Sequence, residues 1–352
     1  MVKIKIGVIF GGTSIESDLT LWSVQGILKN LDKEKYEVFP IYIGKDGKWY
    51  KYLETKILEL GEEVKNKEEI KNILNYLEDL DVLFPHLAGV YGKDGTMQGL
   101  IESINKPYVG CEVLSSCIGA DKVYSKIIFE KAGLKQAKYE YIRKYKEKYY
   151  YVDKEFNQVL LDINEIIVKI KNNLEFPLFV KPSNSGSSIG ITKVLTEENL
   201  KSAIEEASKF DSKILIEEGI EGKEVECAVL GNEEVIASGV GEIKFEGGFY
   251  TFTEKFNKPN KNAIKANISK ELADKIRSQA IKAFKAIDGK GLSRVDFFIE
   301  KNTNEIYINE INTTPGFTPN SMYPKLFEEC GISNKDLLNK IIDLAFENHK
   351  NN

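Results

Sequence analysis

Holding a phosphate takes a cation and several donors that converge on one anion, and one stretch of this 352-residue chain supplies both residue types in order. The apolar run Pro177-Leu178-Phe179-Val180 leads into Lys181, and Pro182-Ser183-Asn184-Ser185-Gly186-Ser187-Ser188-Ile189-Gly190 follows. Small residues let successive backbone N–H groups face one ligand, and the serine hydroxyls add donors. The spacing GxxxxGK[ST] is absent, so this is not a Walker A loop. A serine and glycine loop alone reads as a turn; the strand-end Lys181 before it points to a phosphate clamp. A second group can hold a hard cation: Asp296 in Arg294-Val295-Asp296-Phe297-Phe298, and Glu310 and Asn312 in Asn309-Glu310-Ile311-Asn312. Residues two apart on a strand share a face, which pairs Arg294 with Asp296 and Glu310 with Asn312. Mg2+ takes one or two such carboxylates and completes its shell with water and phosphate oxygens. The competing reading is a surface ion pair between Arg294 and Asp296. Val295, Phe297 and Phe298 argue against it, because they mark a buried strand on which an unpartnered carboxylate is costly.

Alternating strands and helices must position these groups. A strand from Val2 to Phe10 ends at Gly11-Gly12 and precedes an amphipathic stretch from Leu19 to Leu31. Strands at Tyr36–Ile43 and 81–85, with a helical pattern from Lys67 to Leu80 between them, predict a parallel βαβ layer over the first ~120 residues. Its ligand loops belong at the strand C-termini, at Gly11–Glu16 and Gly89–Thr96. Further along, helices are expected at Lys122–Ala132 and Lys270–Ile287, and strands at Tyr139–Ile142, Lys213–Glu218, Lys223–Val229, Leu292–Glu300 and Glu305–Asn312. Tyrosines interleave with lysines between Arg143 and Phe156, which reads as a two-faced strand or hairpin rather than a nucleic-acid platform.

Composition narrows the classes. With 49 Lys and Arg against 54 Asp and Glu the net charge is −5, without the basic footprint of a nucleic-acid binder. Cys111, Cys117, Cys227 and Cys330 show no CxxC spacing and there are only two histidines, His86 and His349, so a Cys/His zinc site is not expected. No apolar run approaches the ~18 residues of a membrane helix, and Ile6–Phe10 is too short for a signal-peptide core. The expectation is a cytoplasmic protein with no membrane or nucleic-acid partner. A dehydrogenase of the Rossmann type ranks last, because the first glycine loop lacks GxGxxG.

Five segments in one order resemble the D-alanine:D-alanine ligase family of the ATP-grasp superfamily. They are Gly11–Glu16, Gly92-Lys93-Asp94-Gly95-Thr96-Met97-Gln98-Gly99, Phe179–Gly190, Arg294-Val295-Asp296, and Asn309–Thr318 followed by Ser321-Met322-Tyr323-Pro324-Lys325. The resemblance implies an α/β ATP-grasp fold in three units: a Rossmann-like N-terminal domain over 1–120, a small central α+β lid domain over 121–220 and a C-terminal α+β catalytic domain over 221–352. It implies ATP and two Mg2+ (or Mn2+) ions, D-amino-acid substrates and a homodimer built through the first domain. By position, Lys122 and Lys181 match the nucleotide-phosphate lysines, Ser188 lies in the phosphate loop, Glu217 matches an adenine-side contact and Glu224 the ribose carboxylate. Asp296, Glu310 and Asn312 match the metal ligands, Arg294 the cation over the reacting phosphoryl group, and Gly316 a backbone oxyanion donor. Glu16 and Ser187 match the side of the first amino acid, Ser321 and Met322 the pocket of the second, and Lys255 falls in the segment Gly247 to Lys258 that matches the family's mobile loop and is the expected lid.

The implied reaction joins two D-alanines through an acylphosphate, releasing ADP and phosphate, for peptidoglycan precursors. Three departures fall near the first amino acid: Ser17 and Ala88 stand where the family commonly has histidine, and Phe256 where it has tyrosine. They leave open a weaker D-alanine ligase or a paralogue that uses a different small D-amino acid first. A catalytically silent nucleotide-binding homologue is a separate alternative, against which the retained Lys181, Arg294, Asp296, Glu310 and Asn312 speak. His86 lies two residues before Ala88 and is either a shifted ligand or a hydrogen-bonded core histidine.

Overall fold

Apolar β-branched runs bounded by glycine or charge form the strands, and the computed structural model describes residues 2–54, 62–244 and 264–351. The first sheet has the order β4-β3-β2-β1-β5, from β1 (Ile4–Gly11), β2 (Tyr36–Ile43), β3 (Trp49–Tyr52), β4 (Lys67–Glu69) and β5 (Val82–Pro85). β1 runs parallel to both β2 and β5, whereas β3 and β4 add an antiparallel edge, so the layer is mixed rather than purely parallel. The helical expectation over Lys67–Leu80 fails for its first half. Lys67-Glu68-Glu69 is the edge strand, zipped to β3 by Lys51–Glu68 at 2.8 Å and held further by Lys48–Glu69 at 3.0 Å, and only Ile73–Glu78 (α2) is helical. Opposite charges facing each other across an edge strand offset the weak helical pattern.

The second sheet, antiparallel throughout, has the order β10-β9-β11-β6-β7-β8. Its strands are β6 (Tyr139–Tyr145), β7 (Lys148–Val152), β8 (Gln158–Leu161), β9 (Leu178–Pro182), β10 (Thr192–Val194) and β11 (Lys213–Glu218). The Tyr/Lys segment is therefore the β6–β7 hairpin. Ile166 and Ile170 of helix Ile163–Asn173 and Ile204 of helix Leu200–Ala207 cover one face with Ile142, Val180 and Ile214. The third sheet has the order β13-β12-β14-β15, from β12 (Gly222–Gly231), β13 (Val235–Ile243), β14 (Leu292–Glu300) and β15 (Ile306–Asn312). Val295, Phe297 and Ile299 of β14 turn toward Ile276, Ala280 and Phe284 of helix Lys270–Ala286, which leaves the alternate residues Arg294, Asp296 and Phe298 to the opposite face.

The chain then returns to the first sheet. Met322–Glu329 and Asn334–Asn351 are helices whose Tyr323, Leu326, Phe327, Leu338 and Ile342 share one core with Ile6, Val8, Phe84 and helix α1 (Ser17–Asn30). The loop Pro315–Thr318 is fastened to α1 at two positions one turn apart. Ser23 Oγ accepts from Phe317 N at 2.7 Å and lies 2.7 Å from His86 Nε2. At Gly26 a Cβ would lie 1.8 Å from the Phe317 carbonyl oxygen, so only glycine admits this contact. His86 is buried to 4% exposure, and burial holds its imidazole at a pKa of about 4. It is a hydrogen-bonded core histidine.

Two outcomes are expected. Gly26→Ala gains up to about 1 kcal/mol of helix propensity but must displace the Phe317 backbone, at about 1–3 kcal/mol for an overpacked contact, so thermal unfolding shifts down; an unchanged or raised Tm would contradict the docking. For His86 the folded pKa of about 4 lies below the unfolded value of 6.5, so its contribution is complete above pH 6.5 and is lost as the pH falls toward 4. The loss amounts to about 3 kcal/mol. The stability gap between the natural protein and His86→Gln, followed by denaturant unfolding from pH 7.5 to 4.5, should narrow by that order.

Candidate active site

A cleft of about 1060 Å³ lies between the second and third sheets and opens to solvent. Eleven of the fifteen residues singled out from the sequence line it, among them Lys122, Lys181, Glu217, Arg294, Asp296 and Glu310. Ser187, Ser188, Glu224, Ser321 and Met322 complete that set. Glu16, Asn312 and Gly316 sit beside the cleft on adjoining loops and strand ends. Lys255 lies outside the described residues, as do Phe256 and the loop Gly247 to Lys258.

Two elements carry Lys122 and Lys181. Asp121 caps helix α5 (Lys122–Lys131) by accepting from Val123 N and Tyr124 N, both at 3.1 Å, and the same carboxylate accepts from Ser183 Oγ at 2.6 Å and pairs with Lys213. One buried aspartate thus fixes the helix N-terminus to the end of β9. Lys122 is thereby placed against the serine loop, donating to Ser185 O at 2.6 Å with Glu310 Oε2 at 3.5 Å. Ser187 and Ser188 both have left-handed backbones, with φ of 52° and 61°. Consecutive residues outside the usual region each cost about 1 kcal/mol, and here they form a tight turn closed by Ile189 N donating to Gly186 O at 3.0 Å.

Lys181 extends from β9 onto Glu217 of β11, and Lys126 of α5 reaches the same carboxylate at 2.7 Å from the other side. Burial would raise the Glu217 pKa, but the two ammonium groups outweigh it and hold the carboxylate at about 2. Burial also acts against the charge on Lys181, yet Glu217 keeps that lysine above its ordinary value. Lys122, with weaker compensation, is pushed down by burial.

On the third sheet the register aligns Glu226 of β12, Asp296 of β14 and Glu310 of β15, with Ala228, Arg294 and Asn312 in the neighbouring row. Arg294 forms a fork on Asp296, Nε to Oδ1 and NH2 to Oδ2 both at 2.7 Å, and lies 3.2 Å from Glu226 Oε1. Burial disfavours the guanidinium charge, but Asp296 and Glu226 overcome that and raise its pKa well above the ordinary value. The ion pair considered from sequence therefore exists, in the interior rather than at the surface. Among the described residues no three His, Cys, Asp or Glu side chains converge as a ready metal cage. Two carboxylates in register with an amide one position along fit instead an ion that brings phosphate oxygens with it.

The rest of the cleft surroundings is built from loops. Ser187 Oγ donates to Glu16 Oε2 at 2.8 Å, while Ser14 Oγ donates to Ala88 O at 2.9 Å and joins the loops after β1 and β5. Gly316 packs on Ser321, whose Oγ accepts from Thr318 N at 2.9 Å. Met322 lines the cleft and is also 4% exposed within the core. Three charged residues here were not anticipated. A Cβ on Gly186 would lie 2.8 Å from Lys93 Nζ and 2.7 Å from Glu16 Oε2, so a lysine and a carboxylate meet over that glycine. Alternation with Glu224 puts Glu226 on the same strand face, whereas nothing local in the sequence marks Lys126.

Residues 5–111 match the family model described as D-ala D-ala ligase N-terminus, and residues 128–343 match D-ala D-ala ligase C-terminus. A D-alanine–D-alanine ligase of Ruminiclostridium cellulolyticum is 42% identical, covering 99% of this chain and 97% of that protein. One from Acetivibrio thermocellus is 43% identical, with 99% and 98% covered. Among solved structures, the VanG D-Ala:D-Ser ligase of Enterococcus faecalis superposes with a TM-score of 0.83 at 36% identity over 98% of this chain and 100% of that one. Matched in both halves, and over nearly its whole length by relatives above 40% identity, this ATP-grasp chain belongs to the D-alanine–D-alanine ligase family of carbon–nitrogen ligases.

Proposed function

We propose that the protein joins two D-alanines into D-alanyl-D-alanine at the expense of ATP, releasing ADP and phosphate. The observation that carries the reading is the meeting of Lys122, Lys181 and Arg294 with Asp296 and Glu310 on one cleft whose far end holds the Glu16–Ser187 pair. A carboxylate oxygen of the first D-alanine attacks the γ-phosphorus and ADP leaves, giving an acylphosphate. The amine of the second D-alanine attacks that carbonyl carbon and loses a proton, and phosphate departs with the former C–O electron pair. Little covalent work falls to the protein, because phosphoryl transfer depends on positioning and charge neutralisation. Lys122 and Lys181 grip phosphate oxygens, and the serine loop donates N–H groups to them. Arg294 faces the transferred group, and a Gly316 N–H donates to the oxyanion formed in the second step. Glu224 takes the ribose hydroxyls and Glu217 borders the adenine side.

Asp296, Glu310 and Asn312 would hold Mg2+ or Mn2+, which supplies charge neutralisation to the polyphosphate. Glu16, through Ser187, orients the ammonium of the first amino acid, and Ser321 and Met322 receive the second. An apolar Met322 suits a methyl group and gives no partner to a hydroxyl. The same reading makes the protein a cytoplasmic homodimer with units at 1–120, 121–220 and 221–352; the family resemblance is its support.

Phosphate release across pairs of D-amino acids, with D-serine as a second substrate and L-amino acids included, tests the reading. D-Ala with D-Ala should be the best pair, and a better rate with any other first amino acid would overturn the assignment. Arg294→Lys keeps a charge beside Asp296 but not the fork, so product formation should fall roughly 10² to 10³ while the KM for ATP stays within a few-fold. Arg294→Ala is the poorer probe. It strands Asp296 and Glu226 in the interior, a loss of about 3–5 kcal/mol, and is expected to unfold first on heating.

A further inference from the structure

Glu217 divides its two carboxylate oxygens between two lysines: Oε2 lies 2.7 Å from Lys126 Nζ, and Oε1 pairs with Lys181 Nζ. Side-chain exposure is 5% for Glu217 and 3% for Lys126. Lys181 and Glu217 line the cleft, whereas Lys126 stands behind them, its ammonium 5.3 Å from the centre of the Tyr139 ring. We propose that Lys126 is a positioning residue that lets Lys181 exchange Glu217 for a nucleotide phosphate. This inference rests on the proposed role of Lys181 and goes beyond it.

A buried Lys181–Glu217 pair alone would be neutral and would offer an incoming polyphosphate little net attraction. Turning Lys181 away would strand Glu217 in a desolvated setting, which opposes binding. With Lys126 present the three groups carry one net positive charge behind the serine loop. Lys181 can then move to phosphate oxygens while Glu217 stays paired, and the repulsion between the two ammonium groups favours that move. Lys126 touches no substrate in this arrangement, and its whole effect passes through Glu217.

The test is steady-state phosphate release with ATP and D-alanine varied in turn, for the natural protein, Lys126→Met, Lys126→Arg, Glu217→Gln and the double variant Lys126→Met with Glu217→Gln. Lys126→Met should raise the KM for ATP roughly ten- to hundredfold, the range typical of residues that act through a ligand, with the KM for D-alanine unchanged. Lys126→Arg should restore most of the loss. In the Glu217→Gln background the Lys126→Met change should have no further effect on the ATP KM. An unchanged ATP KM in Lys126→Met, equal changes in both KM values, or a further loss in the Glu217→Gln background would each overturn the proposal. Should Lys126→Met fail to fold, the charge-balanced double variant against Glu217→Gln still decides it. A natural protein with no ATP-dependent turnover would instead overturn the ligase reading itself.

Discussion

The Arg294 guanidinium, clasped between Asp296 on its own strand and Glu226 on the next, is the charge around which the cleft is arranged. Burying three ions is costly unless each has partners in good geometry, and the fork on Asp296 supplies that geometry. The sheet register makes this possible, because β12, β14 and β15 bring Glu226, Asp296 and Glu310 into one row. A one-residue slip would turn the whole set into the apolar core against helix Lys270–Ala286. The hydrophobic alternation of Val295, Phe297 and Ile299 therefore protects the chemistry as much as the fold.

A second set of charges balances the first from across the cleft. Asp121 ties α5 to the end of β9, and Glu217 ties β11 to two lysines, so Lys122 and Lys181 are each held by an acid on a different element. Such an arrangement costs rotamer freedom before any ligand binds, and the groups are then already placed when charge must be neutralised. The Glu310–Lys122 contact at 3.5 Å couples the two sets directly.

Much of this was legible in the residues, for identifiable reasons. Tyr36–Ile43, Lys213–Glu218 and Leu292–Glu300 are strands over the residues expected, since each is rich in β-branched, aromatic and other apolar residues and leaves helix little competition. Lys67–Glu69 misled because its stability comes from cross-strand partners near Trp49–Tyr52, which no local pattern encodes. The return of the C-terminal helices to the first core and the seating of Phe317 on Ser23 and Gly26 join residues nearly three hundred apart in the chain. Lys126 was hidden for a related reason: its partner Glu217 lies far along the chain on β11, and a lysine on an amphipathic helix ordinarily reads as solvated.

The first amino-acid subsite is where sequence and geometry together say more than either alone. Ala88 and Ser17, where the resemblance leads one to expect histidine, bring no imidazole to the loops around Glu16, yet the surroundings are not apolar, because Lys93 brings an ammonium group to the same glycine that Glu16 faces. His86 does not substitute for the missing rings. It is buried, held unprotonated near neutral pH and committed to Ser23, so its work is to seat the Phe317 loop. Gly186 is the point on which this subsite turns. Without a side chain there, the phosphate loop can approach Lys93 and Glu16 closely enough for Ser187 to reach the carboxylate. On the proposed reading, Lys93 and Glu16 at the first substrate and the donors at the phosphate are set by one short backbone segment, which ties the position of the acyl group to that of the γ-phosphate.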